Sequence, residues 1–379
     1  MVFVVAVTLG CAAEVALSPV TVTDSAGIRI TLSQDVGATY AVVQPEPVVS
    51  LGGPNAEGPT QFYQVDRVIL NRDELWVADG QSGELRVFNA EGSWLRTLGG
   101  RGDGPGEFLR IRLLGAFVGD SVAVWDQSSG RLTVYDALGT SERTVRLSAG
   151  DRALPRPWHV YPDGSVLGQV PEIRMAGAMA EGEIIPASVR LVRFDLDRGT
   201  QDDVAAAEGR LWLWTGRDQI PVPFTDNAVF ALREGAVHLA AGPAFRLRVF
   251  EDGSVTRMYG VDREERAVTA AAREDYRDFI EEFYPQEQHA AYLSVLEHAA
   301  TPSLLPAYTS VLAAADGTVW AGRYQPDTLW DVYGEEGELL GQVEMPGDFY
   351  PMSIRDGRVA GVWRDVLGVE HVRVYGLDR

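Results

Sequence analysis

The chain has 379 residues, and 33 Lys+Arg against 54 Asp+Glu leave a net charge of −21 at pH 7. That balance repels phosphate backbones and excludes nucleic acid as a general partner, while a hydrophobic share of 46% allows a sizeable core and excludes a disordered tail. The 40 glycines and 20 prolines require many turns, and the single cysteine excludes a disulfide framework and a multi-cysteine zinc site. Among lysine and arginine, the chain uses only arginine.

Residues 1–10 (MVFVVAVTLG) are apolar and end in a small residue directly before Cys11. This resembles the end of a bacterial lipoprotein signal, in which the cysteine is lipidated and becomes the anchored amino terminus. Thr8 stands where such signals prefer leucine, and no basic residue precedes the apolar run. The expectation is a signal-like segment over 1–11, lipidation at Cys11 and an extension over 12–40. The protein would be held at the bacterial cell envelope by a lipid anchor alone, facing the periplasm or the exterior. No later stretch reaches the ~18 apolar residues of a spanning helix.

The strongest signal is a repeat. Residues 75–92 (LWVADGQSGELRVFNAEG) align without a gap on residues 122–139 (VAVWDQSSGRLTVYDALG). Each reads as a strand ending in Asp (Asp79, Asp126), a glycine turn, an alternating strand ending in an aromatic (Phe88, Tyr135), and a second glycine turn. The aromatic ending returns at Phe194, Phe250, Tyr333 and Tyr375. Two-residue turn signals, Asp163-Gly164, Glu234-Gly235, Asp316-Gly317 and Asp356-Gly357, open the strands before them. One four-stranded unit every ~40–60 residues predicts a β-propeller, because a lone small sheet cannot bury both faces and must stack radially.

The ends of the chain set the number of blades. Residues 51–62 (LGGPNAEGPTQF) resemble 98–108 (LGGRGDGPGEF), a connection that follows a fourth strand, yet no first three strands precede residues 46–51 (EPVVSL). The last copy stops after its third strand at Tyr375. The reading is an all-β, six-bladed β-propeller over residues 41–379, closed by an N-terminal strand in the last blade, which removes open sheet edges.

The opening DSAGIRI (Asp24 to Ile30), the LWVAD strand (Leu75 to Asp79) and the GGRGDGPGEF connection (Gly99 to Phe108) resemble the NHL-like six-bladed propellers of bacteria, many of them lipoproteins. The resemblance spans residues 20–379. It implies a fold and little about activity.

Residues 262–298 lack strand alternation. Tyr276, Phe279, Ile280 and Phe283 fall at the spacing of an amphipathic helix, Pro285 ends it, and Ala290, Leu293 and Leu296 suggest a second helix. A helical insertion between blades four and five follows, its apolar stripe expected against the propeller.

Propellers bind ligands where the central channel opens, so Asp79 and Asp126, at the ends of second strands, are channel-rim candidates. Side-chain bonds to the following turn explain an Asp there equally well. Asp226 with Asn227 is the one acid and amide pair at an inter-blade position, and His238 lies inside a strand (VHLAA) as a core or channel histidine. The glycine-rich loop lacks a nucleotide-gripping GK[ST] ending, and no nucleophile elbow or zincin motif appears.

The leading functional reading is a non-catalytic ligand- or protein-binding propeller. The alternative is a calcium-dependent hydrolase, lactonase or lyase with its site at the central channel, which needs several carboxylates and amides converging on one ion. No cofactor is evident otherwise, and Ca²⁺ enters only with that alternative.

Overall fold

The computed structural model describes residues 19–116, 121–147, 156–170, 180–225, 227–298 and 300–379. Their strands form six sheets. Blade 1 comprises Val65–Asn71, Glu74–Asp79, Glu84–Asn89 and Trp94–Gly99, and blade 2 comprises Ile111–Ala116, Val122–Asp126, Arg131–Tyr135 and Ser141–Arg146. Blade 3 contains Arg156–Val160 and Val166–Val170, then two long strands, Ile184–Phe194 and Gln201–Trp214, with Gln219–Pro221 outside them. Blade 4 is built on Val229–Arg233, Ala236–Ala240, Arg246–Glu251 and Ser254–Asp262, and blade 5 on Tyr308–Ala313, Val319–Arg323, Leu329–Tyr333 and Leu339–Glu344. Blade 6 holds Phe349–Arg355, Arg358–Arg364 and Glu370–Asp378.

The core lies between the blades rather than within them. Six clusters of buried side chains each join two consecutive sheets, including the last to the first. The aromatics that close the third strands, Phe88, Tyr135, Phe194, Phe250, Tyr333 and Tyr375, are all buried. Radial stacking is therefore what buries these short sheets, each full aromatic or aliphatic side chain contributing about 1.5–3 kcal/mol. Two-residue turns join first and second strands where the backbone must turn left-handed. Glu234-Gly235 (φ 50° and 90°) and Asp356-Gly357 (φ 50° and 68°) take the shape that matches strand twist.

The segment before blade 1 belongs to three other blades. Val20–Ser25 and Ile28–Gln34 form an antiparallel hairpin, and Ile28–Gln34 runs parallel to Ser254–Asp262, extending blade 4 outward to six strands. Ser33 Oγ accepts the Leu339 amide at 2.8 Å, and Tyr40 N donates to Gln342 O at 2.9 Å, so the chain next crosses the outer edge of blade 5. It then enters blade 6, where Val42–Val43 and Val49–Gly52 pair antiparallel with Glu370–Asp378, Val49 opposite Val374 and Leu51 opposite Val372. The described part of the stretch expected as an extension thus runs as a strap along blades 4 and 5, and the chain enters blade 6 from Val42 on.

Two helices, α1 (Ala270–Phe283) and α2 (Gln286–Leu296), stand between the outer strand of blade 4 and the first strand of blade 5. Thr269 caps α1 by accepting the Ala272 amide at 3.1 Å, and Arg273 ties the pair by donating to Leu296 O at 2.7 Å. The expected stripe divides. Ile280 is buried, but Phe279 and Phe283 are 45% and 65% exposed. At 100° per residue a stripe of this width outruns the narrow seam the helix presents to the propeller. Among the described residues no helix is long and apolar enough to cross a membrane.

Candidate functional site: the axial cavity

The first strands of successive blades touch one another all the way round, so they wall a central channel. It holds a cavity of about 470 Å³ lined from every blade, by Arg67, Leu114, His159, Arg233, Asp316 and Arg355 in turn. Glu234, Ala315, Asp316 and Gly317 in this lining belong to turns between first and second strands, so the cavity opens on the face carrying those turns.

Sequence reasoning placed the rim on the other face. Asp79 is opposite Val65 and Asp126 opposite Ile111, at the far ends of the first strands, and neither lines the cavity. Both are fully buried. Asp79 accepts the amides of Tyr63 (3.2 Å), Gln64 (3.1 Å) and Gln81 (3.2 Å), and Arg86 Nη2 lies 3.4 Å away. Asp126 accepts from Ser129 Oγ (2.7 Å) and from the amides of Arg110 (3.0 Å), Leu109 (3.3 Å) and Ser128 (3.1 Å). Burial raises the Asp126 pKa, but those four hydrogen bonds outweigh it and the net shift is downward. Each Asp joins an inter-blade connection to the next turn, which is a structural task.

His238 is also away from the cavity, in a second strand, 2% exposed, with Nδ1 2.7 Å from the Tyr259 hydroxyl. Burial, then the charges of Arg233 and Arg257, hold it down to about 3, so it is a neutral core histidine. Asn227 is exposed ahead of Val229–Arg233 and lines none of the cavities described. Asp226 and Cys11 lie outside the described residues.

The arginines that line the cavity were not singled out from the sequence, because each sits in a strand whose alternation reads as ordinary. Arg233 has a side chain only 7% exposed; its guanidinium lies over Gly317, with Nη2 3.7 Å from where a Cβ there would stand. The Nε atoms of Arg67 and Arg233 are buried without a hydrogen-bond partner. Burial lowers the Arg67 pKa, Asp66 opposes that shift, and Arg112 adds to it. His159 is held down to about 3 by burial and then by the Arg67 charge, so its imidazole is neutral. Of the two carboxylates at the mouth, Asp316 accepts from Thr318 (N, 3.1 Å; Oγ1, 2.7 Å) and is paired with Arg379, and Glu234 is 74% exposed, 3.8 Å from Arg233.

A calcium ion does not fit this lining. Among the described residues no group of three His, Cys, Asp or Glu side chains is placed to hold a metal, and the cavity presents guanidinium groups where a cation needs oxygens.

The model of a family described as a 6-bladed β-propeller matches residues 59–151. No curated protein matches the chain. Similar solved structures include a member of the duf4221 family from Bacteroides vulgatus (9% identity, 89% of this chain and 99% of that one covered, TM-score 0.47). They also include a gluconolactonase of Xanthomonas campestris (12% identity, 84% and 87% covered, TM-score 0.45). A third is a virginiamycin B lyase from Staphylococcus aureus (10% identity, 87% and 98% covered, TM-score 0.41). Sheet count, blade order and the matched family model together make this chain a six-bladed β-propeller.

Proposed function

We propose that the chain is a non-catalytic binding propeller of the bacterial envelope that takes a ligand in its axial cavity. The observation that carries this reading is one cavity of about 470 Å³ to which all six blades contribute. That size suits a small molecule, and a site built on rigid strands is pre-organised for binding. The apolar run ending at Cys11 supports export and a lipid anchor, and the net charge of −21 supports partners other than nucleic acid.

The alternative of a calcium-dependent hydrolase, lactonase or lyase has the poor fit of the lining against it. Metal analysis with melting curves in EDTA tests it directly: a melting temperature unmoved by EDTA and no co-purified calcium would remove it.

The binding reading is tested by thermal shift across small acidic, neutral and basic metabolites, on the parent and on Ala315→Trp. Ala315 is exposed at the cavity mouth, so the indole fills the opening without entering the core. A ligand that stabilises the parent and not the plugged variant supports the reading; ligands that act equally on both would sink it. Anchoring is tested by labelled palmitate, expected on the parent and absent from Cys11→Ser.

A further inference from the structure

We infer that the axial cavity receives a small molecule bearing a carboxylate or phosphate group, gripped by Arg67, Arg233 and Arg355; this rests on the reading that the cavity is the ligand site. The three arginines come from blades 1, 4 and 6 and all line one hollow. Their convergence runs against the composition of a chain whose net charge is −21. Arginine does not give up its proton in proteins, so burying it without a paired carboxylate carries an electrostatic cost that a bound anion relieves.

The partners within the protein leave that cost standing. Among the described residues Arg67 and Arg355 have no ion pair within 4 Å and no side-chain hydrogen bond, and Arg67 and Arg233 each bury an unpartnered Nε. Asp66, the carboxylate that acts on Arg67, also lies 3.8 Å from Arg112. Asp316 is engaged by Thr318 and Arg379, and Glu234, 3.8 Å from Arg233 at the mouth, is 74% exposed and so screens that arginine weakly. The planar guanidinium fork matches the two oxygens of a carboxylate or phosphate, where an ammonium would offer a point charge. His159, neutral at the cavity wall and bonded to the Phe230 backbone, adds no charge to the hollow.

The test is calorimetric titration and thermal shift at fixed ionic strength with citrate, inorganic phosphate and glucose 6-phosphate, against glucose and calcium chloride. At least one anion is expected to bind saturably and raise the melting temperature, with glucose and calcium doing neither. Arg67→Gln, Arg233→Gln and Arg355→Gln should each weaken that anion at least tenfold, circular dichroism reporting whether each variant is folded. Arg355 is half-buried where Arg233 is buried, so its variant keeps the test open if the Arg233 variant unfolds. Binding of glucose alone, abolished by Ala315→Trp, would overturn the anion inference while leaving the cavity as the ligand site. Anion binding unchanged by both Ala315→Trp and the arginine variants would overturn both readings. Absence of saturable binding by every anion would overturn the inference.

Discussion

Arg263 Nη1 donates to Asp331 Oδ2 at 3.0 Å, an ion pair that joins the end of blade 4 to the third strand of blade 5. Asp331 is fully buried and also accepts from Arg323 Nη2 at 2.6 Å and from the Tyr308 hydroxyl at 3.0 Å. Arg263 in turn holds Asp35 of the N-terminal strap at 2.6 Å. One carboxylate thus satisfies two arginines, and a third element is tied to it.

Asp331→Ala should therefore destabilise the fold by about 3–5 kcal/mol, because it leaves the buried Arg323 guanidinium without its carboxylate, while Arg263 keeps only Asp35. Urea denaturation measures this. A loss below ~1 kcal/mol would show that the arginines find water instead.

Leu51, 8% exposed, packs between the last blade and the first. Leu51→Ala is expected to cost about 2–5 kcal/mol. Val22, in the hairpin strand Val20–Ser25 and 51% exposed, should lose no more than ~0.5 kcal/mol on the same change. Equal losses at the two positions would contradict the idea that ring closure, rather than the outer hairpin, holds the fold together.

Acid should weaken the protein before its carboxylates titrate. His159 and His238 are each held down to about 3, whereas an unfolded histidine binds its proton near ~6.5. Below ~6.5 the unfolded chain therefore binds more protons than the folded one, so this stability is complete above ~6.5 and drains away as pH falls toward 3. Each histidine contributes a slope of up to ~1.4 kcal/mol per pH unit. His238→Phe should flatten the profile between about pH 6 and 4.5, although its absolute stability falls with the loss of the Tyr259 hydrogen bond. An unchanged slope in denaturation curves across that range would count against a neutral His238.

Two glycines separate backbone strain from collision. A Cβ on Gly83 (φ +69°) would stand 2.5 Å from Phe108 O, whereas Gly27 (φ +82°) has nothing within 4 Å. Gly27→Ala should cost the ~1–2 kcal/mol of a left-handed alanine. Gly83→Ala should cost clearly more, since backbone must move; matching melting temperatures for the two variants would refute this.

The blade pattern was legible because it is local. The aromatics at Phe88 and Tyr375 recur at the end of a strand, and Glu234-Gly235 marks its own turn, so each copy announces itself within about twenty residues. The docking of the hairpin over 20–34 on blade 4 was not legible, since its partner Ser254–Asp262 is remote in sequence and pairs in parallel, leaving no turn between them to read. The site was the least legible part. Asp79 and Asp126 caught attention as acids beside glycine turns, yet that setting is what a turn-anchoring carboxylate requires. Arg67, Arg233 and Arg355 acquire meaning only when blades far apart in the chain bring them around one axis.

The N-terminal strap also decides how the disk can be hung. Its hairpin is the outermost part of blade 4, so a tether attached ahead of Val20 pulls on the perimeter and not on the hub. A pull applied there is taken up by the rim, through the parallel pairing of Ile28–Gln34 with Ser254–Asp262, before it reaches the strands that wall the hub.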